Sequence, residues 1–150
     1  MEDFELNKDT YVMPSDSNAL LAQVLPASNP LRITWGELDD EDKKGYLSAG
    51  LRKLENMTFV GRRVNYFQPL KFPRIARNIP ANFTEAPVEI QRAQVLLAVE
   101  IMREEVYVKR RNTDACISLG LIQSTANEKT SISVTVDELL RRWVTSWRKV

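Results

Sequence analysis

Eight side chains within sixteen residues hold most of the chemistry that this 150-residue sequence offers: Arg62, Arg63, Tyr66, Phe67, Lys71, Phe72, Arg74 and Arg77. Guanidinium groups interleaved with aromatic rings hold phosphates and stack bases, so the segment is a candidate binder of single-stranded nucleic acid. The same residues admit a plainer reading. In it, Tyr66, Phe67 and Phe72 pin a long loop to the core, and the cations face acidic groups of this chain or of a neighbouring subunit. Charge distribution suits both readings. The net charge is only +1, yet residues 59–78 contain five basic and no acidic side chains, and the chain before them has an acidic surplus.

Catalytic machinery is hard to assemble from what remains. Without histidine there is no Ser-His-Asp or Cys-His pair, no imidazole proton shuttle and no His-containing metal site. Cys116 is the sole cysteine, so it closes no intramolecular disulfide and has no imidazole to activate it; it reads as a buried or incidental thiol. Asp39, Asp40, Glu41 and Asp42 lack the alternating ligands and central glycine of a calcium loop and read as a helix start. Glu104 and Glu105, adjacent on a helix, point about 100° apart and cannot share a proton. The five glycines stand singly at 36, 45, 50, 61 and 120, which leaves no phosphate-cradling loop. The sequence therefore predicts a protein that is not an enzyme and needs no cofactor or metal.

The positioning elements follow from punctuation and period. Residues 1–14 read as an N-terminal arm, and Ser15 or Asp16 caps a short helix through Leu25. Pro26 to Leu38, punctuated by Pro26, Pro30 and Gly36, reads as a loop anchored by Trp35. A helix then starts at Asp39 or Asp40 and buries Leu47, Leu51 and Leu54; Gly45 and Gly50 each weaken it by about 1 kcal/mol relative to Ala. Residues 58–85, with Gly61, Pro69, Pro73 and Pro80, form a long connection of the kind that is usually functional or mobile. Thr84 and Pro87 begin the central helix, whose face of Ile90, Ala93, Leu97 and Ile101 is widened by Val95, Leu96 and Met102 until it nearly encircles the axis. Beyond Lys109, Arg110 and Arg111, the alternation of Ile132, Val134 and Val136 with Ser131, Ser133 and Thr135 predicts a strand, with Ile117 to Ile122 as its partner. Asp137 then caps a last helix carrying Leu139, Leu140, Trp143, Val144 and Trp147 on one face, closed by Arg148 and Lys149. The fold class is mainly α: a small helical bundle with a long proline-containing loop and a short β-hairpin or extended arm near the C-terminus. Its parts are an arm at 1–14, a helical domain at 15–111, and an arm or hairpin with a docking helix at 112–150. The longest strictly apolar run, Val95 to Val99, falls far short of the roughly 20 residues of a membrane span. Glu2, Asp3 and Glu5 stand where a secretory signal needs basic residues, which predicts a chain kept in a reducing cytoplasm.

At the basic segment the sequence also resembles a known family. Phe59, Gly61, Arg62 and Arg63, then Gln68, Leu70, Phe72, Pro73 and Arg74, then Ile79 and Pro80, are similar to a pattern in head-tail connector (head completion adaptor) proteins of tailed bacteriophages. In that pattern Phe-x-Gly-Arg precedes Gln-x-Leu-x-(Trp or Phe)-Pro-Arg and Ile-Pro, and a helix opens with Pro-x-x-Ile and spaced alanines, as at Pro87, Ile90, Ala93 and Ala98. Tyr11, Val12 and Trp35 extend the resemblance upstream, so that it covers roughly residues 10–110. Phe72 stands where many members have Trp, and extra residues separate Pro80 from Pro87. The resemblance implies a structural virion protein in a twelvefold ring beneath the portal. Such a ring would extend the channel for double-stranded DNA, bind the next neck protein, and be assembled in the host cytoplasm. Arg62, Arg63, Phe72, Arg74, Arg77, Trp143 and Trp147 would serve as its assembly residues. Similar sequences are also labelled as relatives of a primosomal single-strand-binding protein, which makes a single-stranded DNA-binding module the alternative. A regulatory helical domain that binds another protein is a third reading.

Overall fold

Capping side chains and prolines set where the first helices begin in the computed structural model, which describes residues 4–80, 83–113, 132 and 134–144. Helix α1, Pro14–Val24, opens on a proline, whose missing N–H would be unpaired in the first turn anyway. Helix α2, Pro30–Glu37, does the same, and the Asn29 side chain accepts from the Leu31 N–H at 2.9 Å. Helix α3, Asp40–Glu55, is capped by Asp39, which accepts from the Asp42 N–H at 2.8 Å; Asp40, Glu41 and Asp42 fill the first turn, where the helix dipole favours them. The stretch from Pro26 to Leu38, expected as a loop, thus contains a helix. Pro30 falls where a helix tolerates proline, and the buried Trp35 ties the helix to α1 by donating from Nε1 to Ser17 Oγ at 3.0 Å.

Helix α4, Val88–Thr113, is the hub. Residues 93–100 are buried without interruption, as the encircling apolar pattern predicts, because α1, α2 and α3 all pack against it. The α3–α4 contact depends on Gly50. A Cβ there would stand 2.9 Å from the Gln94 carbonyl oxygen and 3.0 Å from the Ala98 nitrogen, whereas a Cβ on Gly45 meets nothing within 4 Å. Opposite effects follow. Gly45→Ala is expected to raise stability in urea unfolding by up to about 1 kcal/mol through helix propensity. Gly50→Ala is expected to lower it by about 1 to 3 kcal/mol through overpacking, and equal shifts in the two variants would contradict this reading of the interface.

Within the N-terminal stretch read as an arm, the end that leads into α1 is held in the core: Thr10, Tyr11 and Val12 are buried, while Leu6 is half exposed. Gln94, fully buried on α4, accepts from the Tyr11 N–H at 3.1 Å and donates to Thr10 Oγ1 at 2.8 Å and to the Leu47 carbonyl at 3.0 Å. Every polar atom of that amide has a partner, as a buried amide requires.

Two corrections concern the expected hairpin, and both are made among the described residues. The antiparallel pair is β1, Arg62–Arg63, with β2, Arg74–Ile75, inside the long connection, with Arg62 opposite Ile75 and Arg63 opposite Arg74. Residues 134–140, expected to begin as a strand, are instead helical (α5). Ile132, Val136 and Leu140 are buried while Val134 is half exposed, so the spacing of four outweighs the alternation that also runs through this stretch. Helix α5 ends at 140, and residues 141–143 turn the chain so that Val144 bridges to Phe59. The expected strand at 117–122, Cys116 and Trp147 lie outside the described residues. Among those described, no helix is long and apolar enough to cross a membrane, and no cluster of three or more His, Cys, Asp or Glu side chains is placed to hold a metal ion.

Candidate nucleic-acid interface

Phe72 anchors the base of the long connection. Its ring lies edge-on to Phe59 at 4.8 Å, Trp143 at 5.0 Å and Tyr11 at 6.0 Å between centroids, and it is almost completely buried. Such edge-to-face pairs suit the ring quadrupoles and add to the burial of large apolar surface. The Tyr11 hydroxyl donates to Glu55 and accepts from the Phe72 N–H at 3.1 Å, while the Lys71 N–H donates to Glu55 at 3.2 Å. Burial, and then the Glu55 hydrogen bond and charge, push the Tyr11 phenol far above its ordinary pKa, so it stays protonated as the donor.

Above this base Arg74 acts as an internal clamp. Its guanidinium donates to the carbonyls of Gly61 at 2.8 Å, Val60 at 3.0 Å, Lys71 at 3.2 Å and Phe59 at 3.4 Å. Burial, followed by the like charge of Arg63 across the ladder, pulls Arg74 below its ordinary pKa. Gly61 is the residue the clamp requires. Its φ is +78°, and a Cβ would lie 2.1 Å from the Ile75 carbonyl oxygen, so a side chain there meets both strain and backbone.

The tip of the hairpin is ordered by its own polar side chains. Asn65 Oδ1 accepts from the Phe67 N–H at 3.0 Å, Gln68 Oε1 accepts from the Asn65 N–H at 3.0 Å, and Gln68 Nε2 donates to the Leu70 and Pro73 carbonyls at 2.8 and 2.9 Å. On this frame Tyr66 and Phe67 are 86% and 87% exposed, edge to face at 5.3 Å, with Arg62 and Arg63 exposed on the adjoining strand. Two neighbouring rings standing almost wholly in water are costly to display unless something covers them.

The C-terminal segment closes the site from one side. The Val60 N–H donates to the Trp143 carbonyl at 2.7 Å. Glu89, in the first turn of α4, accepts from Trp143 Nε1 at 2.8 Å and from Arg142 Nε at 2.7 Å. Burial opposes the charge on Glu89, but the Trp143 and Arg142 bonds outweigh it and hold the carboxyl below its ordinary value of 4.5. A depressed carboxylate contributes stability that is complete above the unfolded pKa and is lost as pH falls through the folded one. Acidification below about 4.5 is therefore expected to loosen this dock. The stability gap between the protein and Glu89→Gln in urea should shrink as pH falls, by no more than about 1 to 2 kcal/mol because Arg142 is half exposed. A gap that does not vary with pH would contradict it.

The seven residues singled out from the sequence therefore separate. Arg62, Arg63 and Arg77 are exposed, Arg74 is engaged with four carbonyls, Phe72 and Trp143 are core residues packed on each other, and Trp147 lies outside the described residues. Sequence reasoning grouped Tyr66 and Phe67 with the buried Phe72. The distinguishing signal is local: Tyr66 and Phe67 sit between Asn65 and the Gln68, Pro69 pair, a turn composition, whereas Phe72 alternates with the apolar Leu70 across Lys71 and precedes Pro73. Nothing in the sequence around Arg142 marks it, because its position beside the hairpin and against Glu89 is purely tertiary.

These features define a helical-bundle protein that presents a basic, aromatic-tipped hairpin. Over residues 5–149 the sequence matches the model of a family described as "Putative DnaT-like ssDNA binding protein", and the chain belongs to that family. No curated protein and no solved structure matches it. The family match overturns the head-tail connector reading. With that reading go the twelvefold ring, the portal and downstream neck partners, the channel for double-stranded DNA and the location in the virion. The resemblance over residues 10–110 rests on the loop motif. In the structure most of that motif is a packing device: Gly61, Gln68, Phe72 and Arg74 serve the hairpin's own geometry.

Proposed function

We propose that this protein binds single-stranded DNA as a non-catalytic module, stacking bases on Tyr66 and Phe67 and neutralising phosphates with Arg62 and Arg63. The observation that carries the reading is the exposed aromatic pair on a hydrogen-bonded tip. Unstacked bases offer a π-face to such rings, while paired bases in a duplex do not, so the tip favours single strands without reading sequence. The hydrogen-bonded backbone of the tip supports the same reading, since the main chain that carries the rings is held in place before a strand arrives. The family description and a chain without histidine agree with a binding module rather than an enzyme.

Fluorescence anisotropy of a labelled oligothymidylate, set against a duplex of equal length over a series of salt concentrations, tests it. The single strand is expected to bind more tightly, with log affinity falling by about 0.7 per neutralised phosphate for each unit of log salt. Equal affinity for the duplex, or no binding at low salt, would overturn the reading.

A further inference from the structure

Beside the base of the hairpin, Val60, Gly61, Arg77, Asn78, Ile79 and Arg142 enclose a cleft of about 490 Å³. Two arginines and an asparagine are among its lining residues, and no carboxylate is. The two cations reach it from different parts of the chain. Arg77 follows β2 and is exposed, and Asn78, with φ of +67°, turns the chain just after it. Arg142 arrives from the C-terminal segment, and its guanidinium donates through Nε and Nη2 to Glu89, so its charge is already paired and, among the described residues, the cleft's free cation is Arg77. Val60 and Ile79 add apolar surface of the kind a sugar covers.

We infer that this cleft is a phosphodiester-binding subsite for the same DNA strand that stacks on the hairpin tip, an inference that rests on the single-strand reading above. Planar, forked donors suit a tetrahedral oxyanion, and Arg77, an exposed residue of the cleft lining, supplies them. Gly61 lines the cleft and Phe67 stands at the tip, so at most about 20 Å of chain separates the two contacts. A strand of a few nucleotides can therefore touch both, and Arg62 and Arg63 lie along the path between them.

The test compares Arg77→Ala, Arg77→Gln and Tyr66→Ala with the unmodified protein, using oligothymidylate over a salt series and thermal unfolding as the check on folding. Both Arg77 variants are expected to keep the Tm, to bind roughly three- to tenfold more weakly and to lose about 0.7 from the salt slope. Tyr66→Ala is expected to bind more weakly with its slope unchanged. If the Arg77 variants match the unmodified protein in affinity and slope while Tyr66→Ala binds weakly, the subsite is overturned and the single-strand reading stands. If the unmodified protein itself fails to bind oligothymidylate, both fall together.

Discussion

Removing both rings from the hairpin tip, as Tyr66→Ala with Phe67→Ala, is expected to weaken binding of oligothymidylate by roughly 30-fold or more while leaving the fold intact. The size follows from stacking, which is worth about 1 to 3 kcal/mol per base when the aromatic is truncated. Because the two rings touch at 5.3 Å, their contributions are coupled, and the double variant is not expected to equal the sum of the single ones. Stability should hardly change. Both side chains are more than four-fifths exposed, and substitutions at such sites usually stay within about 0.5 kcal/mol. The frame beneath them also survives, since Asn65 binds the main-chain N–H of Phe67 and Gln68 binds main-chain carbonyls, none of which depends on a ring. Unchanged affinity in a normally folded double variant would sink the assignment of the tip as the stacking platform.

The largest loss of stability is expected at Phe72. Replacement by Ala removes a buried ring that touches Phe59, Trp143 and Tyr11, three aromatics from three separate parts of the chain. Truncating a buried Phe costs about 3 to 5 kcal/mol, a large share of the roughly 5 to 15 kcal/mol that holds a domain of this kind. In thermal unfolding, Phe72→Ala should lower the Tm by about 10 °C or more, and Phe72→Leu by clearly less because it leaves a smaller cavity. The variant also distinguishes core from interface. Any weakening of DNA binding should follow the fraction of unfolded protein and vanish under conditions that keep Phe72→Ala folded. A Phe72→Ala protein with native stability and lost binding would mean that the ring meets the ligand rather than the core.

Together the two variants separate the parts of one loop that composition alone presents as a single patch. Arg74 belongs with Phe72: its four carbonyl contacts hold the hairpin shut and engage its guanidinium donors. Arg62 and Arg63 on β1 and Arg77 beside the hairpin's base are instead exposed.

Much of the helical architecture was legible in the residues themselves. Period and capping are local properties, so α3 with its start at Asp39 or Asp40 and α4 with its encircling apolar face follow from spacing alone. Composition also placed the cations and rings of the candidate interface in residues 58–85. What local pattern could not decide was the choice between two patterns present at once. Residues 132–140 carry both an alternation of two and a spacing of four, and only the docking of Ile132, Val136 and Leu140 into the core selects the helix. Pro30 and Gly36 mark a loop in isolation, yet the burial of Trp35 against Ser17 secures a helix there. Equally, Tyr66, Phe67 and Phe72 are chemically alike and six residues apart at most, and nothing in their types says which ring faces water. That was decided by Tyr11, Phe59 and Trp143, which surround one of them from sixty-one, thirteen and seventy-one residues away. Burial depends on what distant segments bring to a position, and so the division between core and interface is a property of the tertiary structure.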